Sequence, residues 1–201
     1  MGALMLDRRA LVRQLLVDRG DLLVVSGLGS ATYDVAAASD HPLNFYLWGA
    51  MGGTAMIGLG LALAQPQRRV AVFTGDGDML MGIGSLATIG VKQPKNLAIV
   101  VLDNAHYGET GMQPSATQSG IDLTAVALAC HFRQARAISR IEDAAAVRAL
   151  LHSGDGPILI SAKISHEDVP RVLPLRDGHA IKDRFIAALF NGGDGAQAKP
   201  N

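Results

Sequence analysis

Two short polar motifs, each directly after an apolar run, contain the residues of this sequence that suit metal and phosphate chemistry. Gly75–Asp78 (Gly-Asp-Gly-Asp) follows the valine-rich run Arg69–Phe73, and Asn104 follows the second run, Leu97–Leu102. Carboxylate and amide oxygens are donors that Mg²⁺ prefers, with phosphate oxygens filling its other positions. The two glycines of the first motif allow a tight turn and a close approach to a ligand. Together the motifs predict a site for Mg²⁺ and a diphosphate.

The elements that must position these motifs form a strand–helix–strand unit. Both apolar runs have the composition of buried parallel strands, and Met79–Val91 between them is predicted to be a helix. In such a unit Asp76 and Asn104 lie at the carboxyl edge of one sheet, where open α/β sheets bind ligands. Either motif alone would be better explained as an ordinary turn or helix cap. Their occurrence at equivalent strand ends favours the shared site.

The whole chain alternates strand and helix patterns, which predicts an α/β fold: a parallel six-stranded sheet with helices on both faces. Residues 1–190 are expected to form one domain, and the glycine-rich polar stretch 191–201 a disordered tail. The other predicted strands are Asp21–Ser26, Leu43–Trp48, Phe132–Ile138 and Pro157–Lys163. The other predicted helices are Leu4–Val17, Thr54–Ala64, Asp122–Ala129, a helix from a Ser139–Glu142 capping box to Leu151, and Gly178–Phe190.

The first predicted helix is amphipathic, with apolar positions at helical spacing. Arg8, Arg9, Arg13 and Asp18 are assigned to its other faces. The segment His166–Arg176, which contains two prolines, is predicted to be an extended crossover to the last helix.

Composition excludes several classes of protein. The 201 residues are 49% hydrophobic, which is enough for one sizeable core, and 18 basic residues balance 18 acidic ones. This balance gives no electrostatic footprint for nucleic acid. The single cysteine, Cys130, excludes an internal disulfide and a four-cysteine cluster. No apolar run reaches membrane-spanning length and the first residues lack a signal-peptide pattern, so a cytoplasmic protein without membrane contact is expected.

The central stretch resembles the thiamine diphosphate motif, in which Gly-Asp-Gly is followed by a helix, a strand and an Asn pair. Here Asp103 replaces the first Asn of the pair, and Asn104 occupies the metal-binding second position. The similarity extends from about Leu22 to Ile160. Over this range the sequence around the motif resembles sulfopyruvate decarboxylase β-subunits and phosphonopyruvate decarboxylases. The stretches that carry it are GSLATIG (84–90), PKNL (94–97) and LDNAHYGETG (102–111).

This resemblance implies the thiamine diphosphate-binding (PP) domain fold, with thiamine diphosphate and Mg²⁺ as cofactors. Asp76 and Asn104 would bind the metal through their side chains, and His106 through its backbone carbonyl. Glu109 would border the substrate, although an ordinary polar loop explains it equally well. The further cofactor-binding candidates are Gly29, Ser30, Gly75, Gly77, Asp78, Tyr107 and Gly108. For Gly29 and Ser30, a plain strand-to-helix turn is an equally good explanation.

The stretch LWGAMGG, at 47–53, resembles the turn that supports the bent cofactor in thiamine enzymes. Met51 would be the large apolar residue that forces the bend, a proximity effect in catalysis. The backbone carbonyl of Gly49 would accept a hydrogen bond from the aminopyrimidine. Methionine is more often core filler, and its position in this turn favours the functional interpretation.

A residue that thiamine enzymes of this type require has no counterpart in the chain. They use a glutamate on a separate domain to activate the pyrimidine, whereas this chain has only Glu109, Glu142 and Glu167. The resemblance therefore implies a partner α-subunit with a pyrimidine domain, in a hetero-oligomer with paired copies. The implied reaction is decarboxylation of a small 2-oxo acid, either sulfopyruvate (to sulfoacetaldehyde and CO₂) or phosphonopyruvate. A carboligase subunit of the acetolactate synthase type, an oxidoreductase subunit and a non-catalytic cofactor-binding module are the alternatives.

Overall fold

A computed structural model describes residues 5–167 and 169–191 of the chain. Its strands are β1 (Leu23–Ser26), β2 (Asn44–Tyr46), β3 (Val70–Gly75), β4 (Leu97–Asp103), β5 (His106–Tyr107), β6 (Gln113–Pro114), β7 (Gln134–Ile138) and β8 (Ile158–Lys163). Six of them form one parallel sheet in the order β2-β1-β3-β4-β8-β7, and β5 pairs with β6 in a short antiparallel hairpin. The predicted six-stranded parallel sheet is confirmed.

Helices cover both faces of this sheet. They are α1 (Arg8–Leu16), α2 (Ser30–Ala38), α3 (Thr54–Ala64), α4 (Asp76–Met81), α5 (Ser85–Lys92), α6 (Leu123–Ala129), α7 (Ala144–Ser153) and α8 (Gly178–Asn191). Apolar residues of α1, α2 and α7 pack on one face, and those of α3, α5 and α6 pack on the other. Adjacent residues of β3 alternate between the two cores, as strand geometry requires: Phe73 lies in the first and Val72 in the second.

The helix predicted between the two motifs is interrupted. The chain forms α4 and α5 with a turn at 82–84, and α4 begins at Asp76, earlier than predicted. The two segments pack closely at this break, where a side chain at Gly82 would overlap the backbone carbonyl of Gly52. Glycine at this position lets the end of α4 lie directly against the turn that contains Met51.

One predicted helix start is confirmed and another is wrong. The Asp122 side chain caps α6 by accepting hydrogen bonds from the amides of Thr124 and Ala125, at 2.8 and 3.3 Å. The capping box at Ser139–Glu142 is absent, since α7 begins only at Ala144 after a short 3₁₀ turn. The Glu142 carboxylate pairs with Arg140 at 3.2 Å instead of reaching back to a helix amide.

The C-terminal part of the chain differs slightly from the prediction. The last helix includes Asn191, which had been assigned to the tail, and residues 192–201 lie outside the described part, so the disordered tail stays a prediction. The segment before α8 has no regular secondary structure where it is described, as expected for a crossover. None of the helices in residues 5–167 and 169–191 has the length and apolar character needed to cross a membrane.

The strand order creates a crevice at the carboxyl edge of the sheet. From β1 the chain first adds β2 on one side and then returns to add β3 on the other. At such a switch point the turns leave in opposite directions, and open α/β sheets bind ligands in the gap between them. The turns after β1, β3 and β4 all begin at this edge, so the fold brings the two polar motifs together.

Candidate cofactor site

A cavity opens at this switch point, with walls from the turns after β1, β3 and β4 and from the turn before α3. Most of the predicted site residues line it. They are Ser30, Met51, Gly75, Asp76, Gly77, Asp78, Asn104, His106, Tyr107, Gly108 and Glu109. Gly29 and Gly49 are not among its lining residues: Gly29 immediately precedes α2, and Gly49 is exposed at the start of its turn. The structure thus gathers eleven of the thirteen candidates around one space.

The carboxylate of Asp76 is buried, with only 1% of the residue exposed. Its Oδ2 atom accepts a hydrogen bond from the Ser115 hydroxyl, and the Thr117 hydroxyl lies 3.4 Å away. Burial raises the pKa of Asp76; the Ser115 hydrogen bond opposes this effect, and the negative charge of Asp103 adds to it. No cationic side chain among the described residues offsets this burial, so the site suits a metal cation.

The Asn104 loop contains the other two predicted metal-binding oxygens, which are the side-chain oxygen of Asn104 and the backbone carbonyl oxygen of His106. The Oδ1 atom of Asn104 accepts the backbone amide of His106 at 2.9 Å, and the His106 Nδ1 atom lies 2.9 Å from the Asn104 carbonyl. Ala105 between them has a φ of 62°, a left-handed conformation that is uncommon for a residue with a side chain. An amide oxygen has two acceptor positions, so Asn104 keeps one for a metal. Carboxylate, amide and carbonyl oxygens are a donor set that fits Mg²⁺.

Asp103, which stands where the thiamine diphosphate motif has the first asparagine of its pair, has a basic partner. Asp103 is 1% exposed, and its Oδ1 atom accepts hydrogen bonds from the Ala105 amide at 3.0 Å and the Thr117 hydroxyl at 2.8 Å. Its Oδ2 atom forms an ion pair with Lys163. The two residues are neighbours across the paired strands β4 and β8. The pair therefore neutralises the extra carboxylate within the sheet edge.

Both oxygens of the Asp78 carboxylate accept hydrogen bonds from groups of the protein. Its Oδ1 atom accepts the backbone amide of Gly52 at 2.5 Å. Its Oδ2 atom accepts the hydroxyl of Thr54 at 2.5 Å and that of Thr74. Hydrogen bonds to a charged acceptor are among the stronger ones in proteins. Asp78 therefore ties the Gly-Asp-Gly-Asp turn to the turn that places Met51 on the cavity wall.

Two glycines allow loop residues to lie close to the cavity floor. A Cβ atom at Gly77 would come within 2.6 Å of the Tyr107 ring, and one at Gly29 within 2.8 Å of the Glu109 side chain. Gly29 also has a φ of 75°, which favours glycine. The 106–109 loop thus closes over both glycine turns, and Glu109 reaches Arg171 at 3.8 Å.

Four side chains at this site were not identified as site residues from the sequence: Arg8, Ser115, Thr117 and Lys163. Ser115 and Thr117 follow the hairpin β5–β6, whose loop contains Gly108 and Gly111. A turn begins at Ser115, and within it the two hydroxyls lie 2.9 Å apart beside the carboxylates. Arg8 was assigned to a face of the first helix other than the apolar one, but it is 7% exposed and lines the cavity.

A parallel sheet with a buried carboxylate and an amide oxygen at neighbouring strand ends defines a class of α/β domain suited to metal and phosphate ligands. Residues 27–162 match the family described as "Thiamine pyrophosphate enzyme, C-terminal TPP binding domain", and the chain belongs to this family. The predicted family and its fold are therefore confirmed.

Curated relatives differ in how much of their length the chain covers. It is 42% identical over 144 residues to phosphonopyruvate decarboxylase of Streptomyces viridochromogenes, covering 72% of this chain and 36% of that protein. It is 38% identical over 187 residues to sulfopyruvate decarboxylase subunit beta of Methanothermobacter thermautotrophicus, covering 91% of this chain and 95% of that subunit. The chain thus spans about a third of the first relative and nearly all of the second.

A solved structure shows the same fold. The thiamine diphosphate-dependent 4-hydroxybenzoylformate decarboxylase of Rhodococcus jostii RHA1 superposes with a TM-score of 0.65 at 22% identity. The match covers 83% of this chain and 34% of that enzyme. At this identity the likeness establishes the architecture, and the chemistry must be argued from the site.

Proposed function

We propose that this chain is the diphosphate-binding subunit of a 2-oxo acid decarboxylase that uses thiamine diphosphate and Mg²⁺. Sulfopyruvate, which would yield sulfoacetaldehyde and CO₂, is the leading substrate, and phosphonopyruvate is the next. One observation carries the proposal: the chain aligns with 95% of a sulfopyruvate decarboxylase β-subunit at 38% identity. The oxygen donors of Asp76 and Asn104 around one cavity support it.

The residues have separate roles in this proposal. Asp76 and Asn104 hold Mg²⁺ through their side chains, and His106 holds it through its carbonyl. The metal and the backbone amides of Gly77 and Asp78 anchor the diphosphate. When bound, thiamine diphosphate supplies the electron sink that cleavage of a carbon–carbon bond next to a carbonyl requires.

The Met51 turn serves the other end of the cofactor. Met51 lines the cavity and is half-buried, so its side chain offers the bent cofactor an apolar support. Gly49 is exposed beside it, and its carbonyl is available to the aminopyrimidine. Asp78 holds this turn through Gly52, so the carboxylate next to the metal site also positions the residues of the pyrimidine end.

The activating glutamate is assigned to a partner α-subunit. Glu142 is exposed and paired with Arg140, far along the chain from the motifs, and Glu167 is exposed in the crossover. Glu109 lines the cavity but lies in the metal-side loop, near Gly29 and Arg171. The exposed Gly49 marks the side on which the partner's pyrimidine domain would close the site, in an assembly with paired copies of each subunit.

The test compares the purified chain with its assembly. The chain is incubated with Mg²⁺, thiamine diphosphate and sulfopyruvate, phosphonopyruvate or pyruvate, before and after addition of the pyrimidine-domain protein encoded by the neighbouring gene. We expect a folded chain that forms no aldehyde alone and forms sulfoacetaldehyde with the partner. Aldehyde formation by the chain alone, at a rate that the partner does not increase, refutes the divided site. A carbon–carbon ligation product in place of the aldehyde identifies a carboligase.

A further inference from the structure

Arg8 is a buried cation with an unused hydrogen-bond donor. It opens helix α1, directly after the capping residue Asp7, and is 7% exposed, although arginine is mostly found at protein surfaces. Its Nε atom is buried and has no hydrogen-bond partner among the described residues. The Asp34 Oδ2 atom lies 3.2 Å from it, but the two groups are not aligned as donor and acceptor.

Asp34 cannot balance Arg8 alone, because it also serves Arg9. The Arg9 Nε atom donates to Asp34 Oδ1 at 3.2 Å, and the Arg9 Nη2 atom donates to the Pro170 carbonyl at 2.8 Å. One carboxylate thus faces two guanidinium groups, and only the guanidinium of Arg9 is aligned to form a hydrogen bond with it. A buried charge without filled hydrogen bonds costs free energy. The arrangement is explained if an anion from outside the protein completes it.

The position of Arg8 indicates where this anion would lie. Among the residues that line the cofactor cavity in the described part of the chain, Arg8 is the only arginine or lysine. It also lines an adjoining cavity, together with Ser30, Asn104 and Arg171. Arg171 is 61% exposed at its side chain, lies over the Tyr33 ring at 5.7 Å and pairs with Glu109. Arg8 is therefore the buried cation that lines both the cofactor cavity, with its metal-binding candidates, and the adjoining cavity, where Arg171 is exposed.

We propose that Arg8 is an anion receptor of the cofactor site, whose guanidinium binds a tetrahedral oxyanion group. A planar guanidinium presents paired N–H donors that match two oxygens of such a group. Two sources share this chemistry: the diphosphate of the cofactor, and the sulfonate or phosphonate of the substrate. The second source rests on the proposed function. The first follows from charge, because a diphosphate bound to one Mg²⁺ remains anionic and Asp76 adds a further negative charge.

The first arm of the test measures binding without turnover. The full chain and its Arg8→Met, Arg8→Lys, Arg9→Met and Arg13→Met variants are titrated by calorimetry with inorganic pyrophosphate in Mg²⁺. Arg13 is exposed on the same helix, and Arg9 shares Asp34 without lining either cavity. We expect Arg8→Met to weaken pyrophosphate binding about 10- to 100-fold. Arg8→Lys should restore part of the loss, and both control variants should bind as the parent does.

The second arm distinguishes the two anions in the assembled enzyme. If Arg8 binds the substrate, Arg8→Met raises the KM for sulfopyruvate or phosphonopyruvate about 10-fold or more relative to pyruvate, and pyrophosphate binding is unchanged. If Arg8 binds the diphosphate, pyrophosphate binding weakens and the ratio of the KM values stays constant. Either result supports an anion receptor.

One combined behaviour of the Arg8→Met variant would overturn the proposal. Arg8→Met would then bind pyrophosphate like Arg13→Met, keep the ratio of KM values, and lose thermal stability as Arg9→Met does, which would make Arg8 a structural ion-pair residue. If the parent assembly decarboxylates none of the three acids, the proposed function fails. In that case the pyrophosphate titration alone decides on Arg8, since it requires no turnover.

Discussion

Replacing Asp76 by asparagine should stabilise the metal-free chain while it weakens cofactor binding. The substitution keeps the shape of the side chain and its place beside the Ser115 and Thr117 hydroxyls, but removes a charge that is 1% exposed. Relief of this uncompensated burial should raise the free energy of unfolding by on the order of 1 kcal/mol. For a chain of this length that raises the Tm by about 3 °C.

The stabilisation should depend on pH in a defined direction. Burial holds the folded-state pKa of Asp76 above that of an ordinary carboxyl. A group whose pKa is raised by folding contributes stability at pH values below its unfolded pKa and loses this contribution as the pH rises through the folded pKa. The advantage of asparagine at position 76 is therefore expected at neutral pH and should shrink as the pH falls through the raised pKa of Asp76 toward the ordinary carboxyl range.

The effect on the metal should have the opposite sign. Two unit charges about 4 Å apart interact by about 4 kcal/mol in the effective dielectric of a protein surface, and a divalent cation in contact with a carboxylate interacts more strongly. After partial offset by desolvation, about 3 kcal/mol should be lost, which is roughly a 100-fold weaker Mg²⁺-dependent affinity for thiamine diphosphate.

The assay combines thermal unfolding in EDTA, near pH 4 and pH 7.5, with calorimetry of the cofactor in Mg²⁺. Asp21→Asn is the matched control, because the Asp21 side chain is 81% exposed. The reasoning is refuted if Asp76→Asn binds the cofactor with parental affinity, or if its Tm matches the parent at both pH values.

Three further substitutions test other parts of the site. Met51→Ala should leave the cofactor affinity nearly unchanged and lower the turnover of the assembled enzyme about tenfold, and parental turnover would make Met51 core filler. Asp78→Asn removes the charge that holds the 49–53 turn and should cost about 2 kcal/mol of unfolding free energy in urea, whereas unchanged stability would contradict the contact. Lys163→Met leaves Asp103 buried without its cation and should cost about 2 kcal/mol, most of which Asp103→Asn in the same chain should restore; additive losses would argue against the pair.

The sheet and its two motifs were predictable because their signals are local. The runs that became β3 and β4 are continuous and apolar, as expected for strands buried on both faces, and every residue of β4 is buried. The glycines and polar residues directly after them mark the strand ends. Two strands joined by a helical segment must be parallel neighbours or near neighbours, so Asp76 and Asn104 were expected at one edge.

The contacts that complete the site depend on long-range packing and have no local signal. Ser115 reaches Asp76 because the hairpin β5–β6 returns the chain to the Asn104 loop, where the Ser115 amide donates a hydrogen bond to the Ala105 carbonyl; this long-range contact is not specified by the polar loop sequence. At the interruption between α4 and α5, Gly82 lies against Gly52, which belongs to a different turn. Arg8 has the residue type of a surface position, and only the approach of Asp34 and the cavity wall explains its burial.

The register of three neighbouring strands explains how the site accommodates Asp103. Gly75 on β3 pairs with Leu102 on β4, so Asp76 and Asp103 follow at adjacent positions, and Asp103 pairs in turn with Lys163 on β8. The edge therefore carries two carboxylates and one ammonium group in a row. Since Lys163 neutralises Asp103, the pair contributes the same net charge as the asparagine that the thiamine diphosphate motif has at this position. Asp76 is left as the unbalanced carboxylate of the row, and it is the residue to which the proposed function assigns the metal.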